Sequence, residues 1–291
     1  MANPVPTLDA IQHQTEQTVR QAAPWVERLA RAGYAAKGTV YIVIGVLAVM
    51  AAWTGRGKTT DSQGALVSIA QNPVGRFLLI LVAAGLAGYA LWRFVEAGLD
   101  SENEGSDAKG FATRVGFILS GGVYSVLAYT ALKLFMGTAQ QGEGGGGGMQ
   151  DGTARVLAMP FGQGLVGLVG LAVIGLGLAQ IVRGYKAKFQ KQLQLNELSP
   201  TAQKWAVISG RVGHIARGIV FMIVGGFLIN AAWHADPQKA KGLGSALDLL
   251  AQQSYGLWLM GIVAAGLVAY GVFMFVEARY RRIALSAPVG R

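Results

Sequence analysis

Arg31, Arg114 and Arg211 each stand at the mouth of a long apolar run and open one repeated phrase: RAGYAAKGTVY, RVGFILSGGVY and RVGHIARGIVF. Two acids close other apolar runs, Glu96 in LWRFVEAG and Glu277 in FMFVEAR. Charges of opposite sign at the same depth can pair, which gives Arg31 with Glu96 and Arg211 with Glu277. Arg93 lies three residues before Glu96 on the same helix face and is a second partner for it. A charged group within hydrocarbon costs about 2.5–3.5 kcal/mol even on lenient insertion scales, so such a residue is a functional candidate by default. At the end of a span the same carboxylate can pair or snorkel instead. Where the other runs end in Glu, a third ends in Arg183. Arg114 and Arg183 thus bring two guanidiniums and no acid, the chemistry of an anion site and most simply of a phospholipid phosphate. The plainer reading is that both face water. Lys133 and Asn230 fall at matching places near the far ends of their runs. They can snorkel to the far surface or line a pore, where a lysine disfavours cations.

Other chemistry is excluded. The chain has no cysteine, hence no thiolate nucleophile, disulfide or thiolate metal site. His13, His214 and His234 are spread over a tail and two opposite ends of one run, which predicts no metal centre. There is no H-E-x-x-H, phosphate loop or nucleophile elbow. GQGLVGLVGLAVIGLG is glycine-rich but follows no strand and reads as a close-packing helix face. No catalytic residue and no cofactor are expected, and the chain is not read as an enzyme.

The elements that position these residues are membrane spans. Hydrophobic residues make up 52% of the 291 positions and charged residues 14%, against about 25% charged in a soluble domain. About 20 apolar residues cross the hydrocarbon core. Six segments qualify: 34–53, 77–96, 116–136, 161–183, 216–233 and 257–277. Trp25, Trp53, Trp233, Tyr255 and Trp258 fall near span ends and form interfacial belts. Of the 25 Lys and Arg, 18 lie on the side of the termini and 6 on the other. Basic residues concentrate on the cytoplasmic side. The expectation is therefore a multi-pass protein of the bacterial cytoplasmic (inner) membrane with both termini cytoplasmic. The same bias accounts for the net charge of +10 without nucleic acid. Residues 1–22 show no basic stretch followed by an apolar one, so no cleavable signal peptide is expected. QGEGGGGGMQDG reads as a flexible outer loop, and KAKFQKQLQLNELSPTAQKW as an amphipathic segment on anionic headgroups.

The spans repeat in pairs. Within the phrase, Gly33, Gly116 and Gly213 coincide, as do Gly38, Gly121 and Gly218. These glycines let the first helix of each pair approach a neighbour closely. In the second helices Gly85, Tyr89 and Glu96 match Gly266, Tyr270 and Glu277, and Gly75, Gly162 and Gly256 align. The expected division is a polar tail 1–21, repeats 22–97, 98–183 and 184–282, and a tail 283–291. Each repeat is a hairpin of two spans. Both ends of each hairpin lie on one side, so the repeats are parallel and related by an axis along the membrane normal. The fold class is all-α, with a possible pseudo-threefold order.

The triplicated R-x-G-x-x-x-[KSR]-G-x-V-[YF] phrase, with A-x-G-L-x-x-Y-x-x-x-x-x-x-E in the next helix, resembles the bacterial integral-membrane family called domain of unknown function 1206. The resemblance covers residues 22–282. It implies six spans in three two-helix repeats and lends no activity. The residues themselves point to a structural, lipid- or partner-interacting membrane protein. Its expected partners are membrane lipids, with anionic headgroups on the cytoplasmic face. No nucleic acid is expected, and the sequence specifies no protein partner or oligomer. The alternative is a small channel or transporter with a path along the pseudo-threefold axis.

Overall fold

The structure, a computed structural model, describes residues 8–54, 59–71, 73–99, 108–138 and 147–281. Six helices are long and apolar enough to span a membrane: α1 (Leu8–Thr54), α3 (Pro73–Leu99), α4 (Ala108–Met136), α6 (Gly162–Tyr185), α7 (Pro200–His234) and α9 (Gly256–Tyr280). A short helix precedes the second span of each pair: α2 (Ser62–Ala70), α5 (Gly147–Leu157) and α8 (Leu243–Ala251). The described residues form no strand, only an isolated bridge between Leu193 and Arg281. The helix content follows from the solvent, because hydrocarbon leaves a spanning backbone no hydrogen-bond partners but its own.

Glycine sets how each pair turns. A Cβ on Gly75, Gly162 or Gly256 would fall 2.0, 2.1 and 2.1 Å from the carbonyl oxygens of Ile69, Val156 and Ala251. Only a residue with no side chain lets the short helix fold back against the start of the span.

The spans are arranged as a ring broken at one seam. The first helix of each repeat packs on the second helix of the preceding repeat: α4 on α3, α7 on α6 and α1 on α9. This is a pseudo-threefold order, and the same residues build it. Gly38 of α1 lies against the backbone of Gly271, Gly218 of α7 against Gly177, and Gly121 of α4 against the ring of Phe94. Within repeats the pattern fails once. α1 packs on α3 and α7 packs on α9, but α4 and α6 form no such interface.

The sequence of the second repeat explains the break. Along the inward ridge of the first repeat stand Gly33, Ala36 and Val40, and along that of the third Gly213, Ala216 and Val220. A Cβ on Gly33 or Gly213 would collide with Tyr89 or Tyr270, and the Ala36 and Ala216 methyl groups fill the space beside Gly85 and Gly266. The second repeat puts Leu119 where those alanines stand and Ala172 where those glycines stand. The larger pair cannot come to the same separation. Gly116 consequently meets nothing within 4 Å, and Val123 is 59% exposed where Val40 and Val220 are buried.

Several expectations change. The α1 helix begins at Leu8 and runs through most of the segment read as a polar tail. The glycine-rich stretch read as a loop holds the start of α5 from Gly147, while 139–146 lie outside the described residues. The segment after α6, read as amphipathic, has no long regular element before α7. It folds as two short 3-10 turns, Lys188–Gln192 and Leu195–Glu197, that cap the bundle. Phe189 is fully buried there against Phe273 and His214.

Candidate functional site

The end of the bundle that carries the basic residues holds a layer of charged groups. Arg93 Nη1 meets Glu96 Oε2 at 2.5 Å, one helical turn away on α3. Arg281, just past α9, bonds Glu277 at 2.8 Å and stands 3.8 Å from the second Glu96 oxygen. Glu96, Glu277 and Arg281 are all buried. Arg281 therefore ties the acids of the first and third repeats together, and Tyr34 lies beneath its guanidinium at 5.1 Å from ring centroid.

The direct pairs expected from the sequence are replaced. Arg31 bonds Glu27 at 2.7 Å and donates to the carbonyls of Ala278 (2.9 Å) and Arg279 at the end of α9. It grips the neighbouring repeat rather than Glu96, because its helix packs on α9 as well as on α3. Arg211 is exposed, and Glu277 is taken by Arg281. Arg183 donates to Gln192 at 2.7 Å, and Arg114 is half-buried at the start of its span. Lys133 lies over the Tyr129 ring at 5.5 Å near the end of α4. Asn230 is exposed near the end of α7, its carbonyl bonded to His234. Both belong to the far end of the bundle. Exposure places Trp53, Trp233, Trp258 and Tyr255 at the bundle surface, and the Trp25 side chain lies outside the described residues.

About one and a half helical turns (~9 Å) deeper than the phrase arginines lies a group that the sequence reading passed over. Lys37, Ser120 and Arg217 hold the same position in the three repeats, the variable place of the phrase. Lys37 is buried and donates to Tyr89 Oη at 3.1 Å. Its ammonium stands 4.8, 5.3 and 5.6 Å from the ring centroids of Tyr89, Tyr124 and Tyr270. Arg217 donates to Tyr41 Oη at 3.0 Å and Tyr270 Oη at 2.9 Å, and lies over Phe221 and Tyr270. Cation–π contact and phenol oxygens are what hold these cations in a low-dielectric interior. About two turns further in, the axis is apolar: Ile44, Leu127 and Val224 hold equivalent places and are buried with Leu86 and Leu267.

Five spans supply this aromatic cage: α1, α3, α4, α7 and α9. The sixth does not. In α6 the place of Tyr89 and Tyr270 is held by Leu176, which is 48% exposed beside the open seam. His214 sits apart, its Nδ1 2.7 Å from the Gly210 carbonyl and its ring stacked on Phe189. No group of potential metal ligands occurs among the described residues.

Six apolar helices, built as three copies of one hairpin, define an integral membrane protein with internal repeats. The chain matches the family described as Domain of Unknown Function (DUF1206) over residues 32–100, 115–187 and 212–281, one match per hairpin, and it belongs to that family. It is similar to the "Uncharacterized protein YxxB" of Bacillus subtilis (strain 168), 38% identical over 264 residues that make up 91% of this chain and 94% of that one. No solved structure matches it.

Proposed function

We propose that this protein resides in the bacterial cytoplasmic membrane with its basic end and both termini cytoplasmic, and that it binds an anionic lipid in the open seam of the second repeat. The observation that carries this reading is the seam itself. Positions that are sealed inside hairpins one and three are exposed between α4 and α6. Arg114 and Arg183 stand at the basic ends of those same two helices, and Arg183 takes the place where the other repeats offer an acid. An acyl chain fits between apolar helix faces, and a guanidinium binds phosphate through paired hydrogen bonds. The buried apolar layer around Ile44 and Leu127 favours a binding role over a conducting path.

Native mass spectrometry of protein taken from mixed membranes into a neutral detergent tests this. Phosphatidylglycerol should be retained in preference to phosphatidylcholine, and Arg114→Gln with Arg183→Gln should lower the retention. Equal retention of the two lipids would overturn the reading.

A further inference from the structure

The charged layer and the axis are unequal in one respect. Arg93 and Arg281 each bridge a carboxylate. Lys37 and Arg217 bridge none among the described residues, and their hydrogen bonds go to neutral tyrosine hydroxyls. A buried cation without a counter-charge is unfavourable in a low-dielectric interior. Phenol oxygens and ring faces offset part of that cost, but they supply no negative charge. Lys37 keeps two of its three donors unspent, and Arg217 keeps three of five. Among the described residues the Ser120 hydroxyl, at the equivalent place in the second repeat, forms no hydrogen bond, and the residue is half-buried. Tyr124 Oη is likewise without a hydrogen bond among the described residues, although its ring is buried against Lys37 and Tyr89. Spare donors thus stand at one equivalent position in the first helices of all three repeats.

We infer that Lys37, Arg217 and Ser120 form a binding site for a single oxyanion, a phosphate or carboxylate group, on the pseudo-threefold axis. Two cations and two hydroxyls offer charge-assisted hydrogen bonds to such a group. One route in is lateral. The aromatic cage is closed on the five sides contributed by α1, α3, α4, α7 and α9, and on the α6 side it carries the exposed Leu176. Arg217 is only half-buried although its bonds reach to α1 and α9. The apolar layer around Ile44 and Val224 closes the axis on the side away from the basic end. The oxyanion can arrive as the head of an amphiphile whose chain occupies the seam, or as a free ion from the basic end. This site is distinct from the headgroup contact at Arg114 and Arg183 and stands whether or not that contact forms.

Isothermal titration and thermal unfolding of the full chain in dodecyl maltoside test the site, with laurate, dodecyl phosphate and inorganic phosphate as probes. One saturable equivalent per chain is expected, and binding should raise the unfolding temperature. Lys37→Met and Arg217→Met should each weaken binding by about tenfold or more, the loss of one charge-assisted bond. Met in place of Lys37 removes a buried cation, so the ligand-free protein should unfold at a higher temperature than wild type while losing its response to the probe. A purely structural lysine predicts the opposite shift. Ser120→Leu leaves both cations in place and should weaken binding by filling the site, which keeps the test open if a cation variant fails to fold. Binding of the amphiphiles alone supports the axial site reached through the seam. Binding of inorganic phosphate as well, with the same loss in the variants, supports the axial site and removes the case for a lateral route. Binding of none of the probes, or equal binding by wild type and all variants, overturns the inference.

Discussion

Gly33, Gly116 and Gly213 hold one position in three hairpins, and only two of them fit against a partner. A Cβ on Gly213 would sit 2.5 Å from Tyr270 Cα, whereas one on Gly116 meets nothing within 4 Å. Gly213→Leu should therefore destabilise by about 1–3 kcal/mol or more through overpacking. Gly116→Ala should be neutral or stabilise by about 0.5–1 kcal/mol, since alanine is the better helix former. Thermal unfolding of both variants in detergent checks the contrast, and equal damage would mean that the seam is closed in the working protein. The acids make a second contrast. Glu277→Gln leaves Arg281 buried against one fewer carboxylate, and breaking such a pair costs about 3–5 kcal/mol. Replacing Arg281 by Gln in the same chain should recover part of that loss. If the double variant is less stable than Glu277→Gln alone, Arg281 owes its position to contacts other than Glu277. At this scale the sequence was partly legible. The two acids, Arg93 beside Glu96 and the phrase glycines were visible as a pattern. Lys37 was not, because a lysine one and a half turns past Arg31 reads as a flanking charge until the helix is seen to be covered by α3 and α9. Arg31 was misassigned for a related reason. Equal depth says that Arg and Glu can meet, but not which of two neighbouring helices the arginine faces.

At the scale of elements, the hairpin was readable and its variations were harder to see. Periodicity and length gave six spans, and the alignment of Gly75, Gly162 and Gly256 marked the tight turn without revealing the short helix before it. The amphipathic pattern of 186–205 reads as a segment lying on headgroups, whereas Phe189 and Leu193 within it are buried inside the protein. Their hydrophobicity reports tertiary burial, which local pattern cannot distinguish from lipid contact. The open seam has its cause in Leu119 and Ala172, two residues visible in the sequence and meaningful only once their counterparts are known to touch. A Leu119→Ala, Ala172→Gly variant restores the Ala-and-Gly pairing of the other hairpins. It should draw α4 and α6 together. The chain has no native cysteine, so spin labels on Met136→Cys and Gly164→Cys report this directly. The label distance should shorten in the variant. An unchanged distance would show that something other than side-chain size holds the helices apart.

For the whole molecule, three parallel hairpins place every inter-span turn with a short helix on one side and both described chain ends on the other. Reporter fusions inserted at Asp236 should read as external and those at Lys188 as cytoplasmic, and the reverse result would invert the orientation proposed from the basic residues. The threefold order itself has a consequence in time. The partner of α1 is not its own successor alone but also α9, the final helix, and Arg31 and Glu96 are completed by the carbonyls of Ala278 and Arg279 and by the side chain of Arg281. These groups belong to the sixth span and the residue after it, so a ribosome releases them after the other five spans. Throughout synthesis, the earliest span waits with a glycine-lined face uncovered and its polar end half assembled. The sixth span then closes the bundle against the first.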